Sequence, residues 1–225
     1  ASDVYKRQLN PCLESRMKLL EIIQRDAIAP ELEATSRDGA IGKLVMQAAA
    51  KNLVPVTLEL GGKGANIVFE DAPIEQAIEG IVNGIYFNQG HVCCAGSRLL
   101  VQESIADEVV AKLERRIQTL VVGDPLDKNT DVGAINSKEQ LDRITEMVGI
   151  GEAEGAVRHT APCELPSKGY FFAPTFFTDV SQSHRIAQEE IFGPVLSVLT
   201  FRTPAEAIEK ANNTPYGLGS GIWTD

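Results

Sequence analysis

Two kinds of apolar pattern alternate along this chain. Short runs rich in β-branched residues read as strands, and longer stretches with apolar positions three or four apart read as helices. "VPVTLEL", residues 54–60, is β-branched and ends at Gly61-Gly62, so it predicts a strand running into a tight turn. "ANIVF", residues 65–69, reads as a buried parallel strand. Residues 74–86 then read as a helix, and "RLLVQ", residues 98–102, as the next strand. After Ser104, the positions Ile105, Val109, Leu113, Ile117 and Leu120 fall on one helical face, opposite Asp107, Glu108, Lys112, Glu114 and Arg115.

"GDPLDKNTDVGAIN" is a loop by its Gly, Pro, Asp and Asn content. Ser137 and Gln140 form a capping-box pattern, opening a helix with Leu141, Ile144 and Val148 inward. "FFAPTFF" and "VLSVLTF" follow as apolar runs, and then a helix with Thr203 at N-cap, Pro204 at N1 and Glu206 at N3. Gly217, Gly219 and Gly221 lead into "IWT". Near the start, Met17, Leu20 and Gln24 have helical spacing, and Gly39 and Gly42 punctuate the chain before the Ala-rich helix candidate "KLVMQAAAKN". Strand–helix alternation predicts an α/β fold with a mainly parallel sheet flanked by helices.

Composition narrows the function classes. The chain has 225 residues, 44% of them hydrophobic and 23% charged, as expected of a soluble globular protein. No stretch approaches 18 uninterrupted apolar residues, so no membrane span or membrane partner is expected. The formal charge of −10 repels phosphate backbones, which argues against a nucleic-acid partner. Four cysteines are too few and too irregular for a disulfide scaffold, and a reducing, cytoplasmic setting is expected.

The chemistry concentrates in "FNQGHVCCAGSR", residues 87–98, where Cys93 and Cys94 stand side by side among glycines. A cysteine acts as a nucleophile when it is a thiolate, and a free thiol is only about 3% ionised at neutral pH. Glycines let backbone N–H groups approach a substrate oxygen. Other readings stand beside this one. A lone cysteine is often a small buried hydrophobe. A Cys93–Cys94 disulfide would need a strained ring. His91, Cys93 and Cys94 as zinc ligands lack a second well-spaced pair, and no metal site is expected.

The same stretch resembles the active-site signature of the NAD(P)-dependent aldehyde dehydrogenases. In that family the nucleophile is the third residue after the signature glycine, which assigns the role to Cys93 and leaves Cys94 structural. Two more motifs match in order. "LELGGK" places Glu59 34 residues before Cys93, and "EEIFGPV" places Glu190 97 residues after it. The resemblance runs from about Ala40 to the end of the sequence. It implies a Rossmann-like catalytic-domain fold, NAD or NADP as cofactor, and a small-molecule aldehyde as substrate. It also implies a parent enzyme that is a homodimer or homotetramer.

Roles follow by the same resemblance. Cys93 would attack the aldehyde carbon, Glu59 would be the general base, and the Cys93 backbone N–H would supply half of an oxyanion hole. Glu190 resembles the residue that holds the nicotinamide ribose, and Phe192 the aromatic near the nicotinamide. Gly42, Leu60 and Gly61 fall on the cofactor side. Glu189 reads as a solvated or structural carboxylate. The implied organisation is residues 1–36 unassigned, 37–59 a remnant of the cofactor-binding domain, and 60–225 a catalytic domain, truncated at both ends. As a fragment it is expected to be inactive in isolation.

The chain departs from the family pattern at His91, where the family commonly has Gln or Glu, and in "RDGAIG", residues 37–42, which keeps only Gly42 of the phosphate-side loop. Other function classes are a cysteine hydrolase, for which no histidine has a supporting motif, a non-catalytic scaffold, and a CoA-acylating relative. Glu59 as a water-activating base favours hydrolysis over thioester transfer.

Overall fold

The computed structural model describes residues 37–225. The helical spacing at Met17, Leu20 and Gln24 lies outside the described residues. The chain divides into two compact units, Ala1–Leu60 and Gly61–Asp225.

The described part of the first unit is a helix, α1 (Arg37–Asn52), followed by a stretch with neither helix nor strand. Gly39 and Gly42 lie inside this helix rather than before it. A helical glycine costs about 1 kcal/mol relative to alanine, and the Ala-rich run that follows offsets it. At Gly42 a side chain would also meet Leu60, whose Cδ1 would lie 3.4 Å from a Cβ there. The strand expected over residues 54–60 does not form. Its β-branched residues favour extended backbone, but a strand exists only where a neighbour completes its ladder. No described segment pairs with it, and Val54 is left exposed.

The second unit is built on a six-stranded sheet. Its elements are β1 (Ala65–Val68), α2 (Ile74–Tyr86), β2 (Arg98–Gln102), α3 (Ala106–Ile117) and α4 (Lys138–Ala153). Next come β3 (Val157–Thr160), β4 (Thr175–Thr178), the single turn α5 (Arg185–Gln188), β5 (Val195–Phe201), α6 (Pro204–Asn212) and β6 (Ser220–Trp223). The sheet order is β3-β4-β5-β2-β1-β6, with only β3–β4 antiparallel. The predicted mainly parallel sheet is therefore present, with an antiparallel edge strand that the sequence pattern does not announce.

Strand alternation sorts the core. Leu99 and Val101 of β2 face one side with Val68, Leu196 and Val198, against Ile78, Ile81 and Ile85 of α2 and Val109, Leu113 and Ile117 of α3. Leu100 faces the other side with Ile67, Phe201 and Ala207 of α6. Ile144 and Val148 of α4 pack with Phe177, Ile186 and Val195 in a third cluster. Helices α2 and α3 are also joined at their surface by Lys112–Glu75 and by Arg116–Glu79, the latter at 2.7 Å. Such exposed pairs contribute little individually, so the apolar face carries the packing.

The caps follow the sequence with two differences. Thr203 Oγ1 accepts from the Glu206 N–H at 3.2 Å, as expected. Ser137 accepts from the Gln140 N–H, but the Gln140 side chain turns away from the cap. Ser104 lies in the middle of a 3-10 turn, Glu103–Ile105, and α3 starts at Ala106. Leu120 lies past the end of α3 and is still buried. In "FFAPTFF" only Thr175–Thr178 pairs as a strand, since Pro174 lacks the N–H a ladder needs. No described helix is long and apolar enough to cross a membrane.

Candidate active site

Residues far apart in sequence meet here because of strand order. The "GGK" turn leads directly into β1, the cysteine stretch into β2, and "EEIFGPV" into β5. Strands β5, β2 and β1 are neighbours and parallel, so their entry loops lie side by side at one end of the sheet. With strands about 4.8 Å apart, adjacent loops come into contact. This is the N-terminal end of the strands. Ligands in open parallel sheets usually sit at the opposite, C-terminal end.

The contacts between these loops are close. The Gly62 N–H donates to Glu190 Oε1 at 3.0 Å. A Cβ placed on Gly61 would lie 2.4 Å from Glu190 Oε2, and one on Gly62 would lie 2.0 Å from the Cys93 carbonyl oxygen. Only glycine permits this approach. Gly90 is required for two reasons: its φ is +73°, and a Cβ there would strike the Gly193 carbonyl oxygen at 2.1 Å. Gly62, Gly90, Val92, Glu190 and Phe192 line a small cleft between the loops.

Cys93 is half-buried and Cys94 exposed. The two occupy the corners of a turn closed by the Ala95 N–H on the Val92 carbonyl at 3.0 Å. Cys93 is therefore not at a helix N-terminus, and a helix dipole does not activate it. Its own N–H has no hydrogen-bond partner among the described residues. Cys93, Cys94 and Cys163 are free thiols.

Backbone strain gathers at the same place. Asn88 (φ +49°), Gln89 (φ +56°) and Gly90 are successive left-handed residues, and Phe192 is left-handed at φ +56°. A non-glycine residue in this region costs about 1–2 kcal/mol. Side-chain amides hold the strained loops. Gln89 Oε1 accepts from the Gly133 N–H at 3.1 Å. Gln140 Nε2 donates to the Ile191 and Phe192 carbonyls, both at 2.9 Å, and Arg143 donates to the Glu190 carbonyl at 3.2 Å. Glu189 pairs with Arg185 at 2.6 Å, and this hydrogen bond holds its carboxyl below the usual range.

His91 stacks flat on Phe192, with ring centroids 5.2 Å apart and planes 6° from parallel. Its Nε2 is buried without a hydrogen-bond partner, and burial lowers its pKa. Arg98 is buried and donates to the carbonyls of Lys63, Lys210 and Ala211, at 2.9, 2.9 and 2.7 Å. It thereby fastens the end of α6 to the "GGK" turn. Lys63 beside it is also buried, and its Nζ has no hydrogen-bond partner. Burial first, then the Arg98 charge, pull its pKa down to about 7 against upward pulls from Glu190 and Glu189.

Of the site residues expected from the sequence, the second unit brings together Gly61, Cys93, Glu190 and Phe192. Glu59, Gly42 and Leu60 belong to the first unit. Gln140, Arg143 and Lys63 are further residues of the site region. Gln140 is visible in the sequence only as a cap partner, and Arg143 has no signal there.

The family model described as "Aldehyde dehydrogenase family" matches residues 36–225. An aldehyde dehydrogenase of Emericella nidulans is 49% identical over 185 residues, 82% of this chain and 37% of that protein. A putative aldehyde dehydrogenase, DhaS, of Bacillus subtilis is 46% identical with the same coverage. Among solved structures, betaine aldehyde dehydrogenase of Staphylococcus aureus in complex with NAD+ superimposes with a TM-score of 0.75 at 41% identity, covering 82% of this chain and 37% of that one. An NAD-dependent aldehyde dehydrogenase from Sinorhizobium meliloti gives a TM-score of 0.78 at 41% identity with the same coverage. The chain thus spans about 37% of the length of the curated relatives it matches. With three motifs in order, their entry loops side by side and a family match across all the described residues, the chain belongs to the aldehyde dehydrogenase family.

Proposed function

We propose that this chain carries the catalytic residues of an NAD(P)-dependent enzyme that oxidises a small aldehyde to a carboxylic acid. One observation carries the reading: the carboxylate of Glu190, the Gly61–Gly62 turn and Cys93 meet in adjacent entry loops. The proposal concerns the longer protein that would complete the chain to its relatives' length, a homodimer or homotetramer in a cytoplasmic setting.

The residues suit a nicotinamide cofactor. Glu190 presents a carboxylate over a glycine turn that admits no side chain, an acceptor for ribose hydroxyls, and Phe192 supplies an apolar ring beside it. When bound, the cofactor accepts the hydride. Cys93 acts as thiolate, and its Sγ forms a bond to the aldehyde carbon while the carbonyl π pair moves to oxygen. The Cys93 N–H, without a hydrogen-bond partner among the described residues, would donate to that oxygen, where a donor lowers the barrier. When the oxygen re-forms its double bond the carbon loses its hydride, leaving a thioester on Cys93. Glu59 then takes a proton from water, the hydroxyl adds to the thioester carbon, and the C–S bond breaks to release the acid and the thiolate.

Absorbance at 340 nm tests the proposal, with a panel of aldehydes, NAD and NADP, and assay of the acid formed. Aldehyde-dependent reduction with stoichiometric acid is expected. Hydrolysis of esters or amides with no cofactor reduction would replace it with the cysteine-hydrolase reading.

A further inference from the structure

His91 is where the cysteine stretch departs from its family, and its position shows what the departure does. An imidazole two residues from Cys93 invites the reading of a base for the thiol. The contacts do not favour that. A base must come within hydrogen-bond reach of the group it deprotonates; His91 Nε2 is buried with no partner, and no hydrogen bond joins either ring nitrogen to the Cys93 sulfur among the described residues. The ring lies instead flat on Phe192. An imidazolium there would bury an Nε2–H with no acceptor, which disfavours the charged ring.

Phe192 needs such support. It is a bulky residue held at φ +56° that lines the cleft, and its carbonyl is fixed by Gln140. The amide holds the backbone of the loop and the imidazole holds the ring. We propose that His91 is a positioning residue, whose stacked ring fixes Phe192 for the cofactor and takes no part in activating Cys93. The proposal rests on the function proposed above, in which Phe192 adjoins the nicotinamide.

Substitutions that keep or remove the ring separate the two roles. In the complete enzyme, His91→Phe keeps an aromatic face and removes both nitrogens, whereas His91→Gln and His91→Ala remove the ring. His91→Phe should leave the cofactor KM within about twofold of the parent. The other two should raise it by about 2- to 10-fold, the range expected for losing one aromatic pair. The pH profile of Cys93 alkylation by iodoacetamide should be the same in all four proteins. Loss of activity in His91→Phe as deep as in His91→Ala, or a shifted alkylation profile, would overturn the proposal. If no aldehyde is oxidised at all, the proposed function fails instead. The ring pair is then read alone by NMR of ring-labelled histidine. Contacts between the His91 and Phe192 rings, together with a His91 titration that moves towards the ordinary range in Phe192→Leu, support the stack. Their absence overturns it.

Discussion

The Gly62 N–H donates to Glu190 Oε1 at 3.0 Å, joining two motifs 128 residues apart. On its other side Gly62 touches the Cys93 carbonyl oxygen. One glycine thus sets the distance between the Glu190 carboxylate and the Cys93 backbone.

Gly62→Ala should therefore damage the site more than an ordinary small-to-large change. Its Cβ would meet backbone at 2.0 Å, and backbone cannot rotate aside as a side-chain tip does. A loss of about 3 kcal/mol is expected, the upper end for overpacking, with the entry loops displaced. Urea denaturation measures the loss, and cofactor KM the displacement. An unchanged midpoint together with an unchanged KM would refute the packing argument.

Cys93→Ser should abolish aldehyde oxidation in the complete enzyme, while Cys94→Ala should keep most of it. Cys93 is half-buried among the converging loops and Cys94 is exposed at the next corner of the turn. Steady-state kinetics of both variants decide the assignment. Loss of activity in the Cys94 variant alone would reverse it.

Glu59→Gln should slow turnover by about 10²-fold or more, the scale of losing a general base. If the carboxylate acts on water, thioester formation survives and a burst of reduced cofactor precedes the slow phase. Stopped-flow absorbance resolves the two phases. Unimpaired steady-state turnover would remove Glu59 from the mechanism.

Lys63→Met should stabilise the protein at neutral pH. The Lys63 pKa falls from its ordinary 10.5 to about 7 in the fold, through burial and Arg98. Between those values the unfolded chain holds a proton that the folded chain lacks, so this group makes stability rise with pH across the window. Below about pH 7 both states are protonated and the full cost of burying the ammonium is present. The difference between variant and parent should be on the order of 4 kcal/mol at pH 7 and shrink towards pH 10. Denaturation midpoints at several pH values measure it. A difference independent of pH would mean that packing, not charge, is responsible.

Much of this molecule is legible in its sequence, for physical reasons that differ by element. The helix over residues 74–86 is read to the residue, because Ile78, Ile81, Val82 and Ile85 mark one buried face with turn residues beyond each end. The helix opened by Thr203 is read from its cap alone, since that signal is local. The stretch at residues 54–60 fails for the opposite reason. Its local preference is real, but a strand is a property of two segments and the partner is not in the pattern. Strand β3 is missed because Val157–Thr160 is mostly exposed and lacks alternation. In the site, resemblance to the family signature singles out Cys93 as the proposed nucleophile. The Gln140 amide on the Ile191 and Phe192 carbonyls is a contact between distant elements, with no trace in either stretch.

Because every motif sits where the chain enters a parallel strand, the two ends of the sheet tolerate lengthening differently. The turn after β1, residues 69–73, and the one after β5, residues 202–203, leave from the far end. Extra residues inserted there would extend into solvent about four residues' length of strand, or roughly 13 Å, from the glycine contacts. An insertion between Gly90 and Arg98, or between Glu190 and Val195, would instead shift Cys93 or the Glu190 loop against its neighbours. Length variation among engineered versions of this protein should be borne at the strand exits, and the entries should keep their residue count.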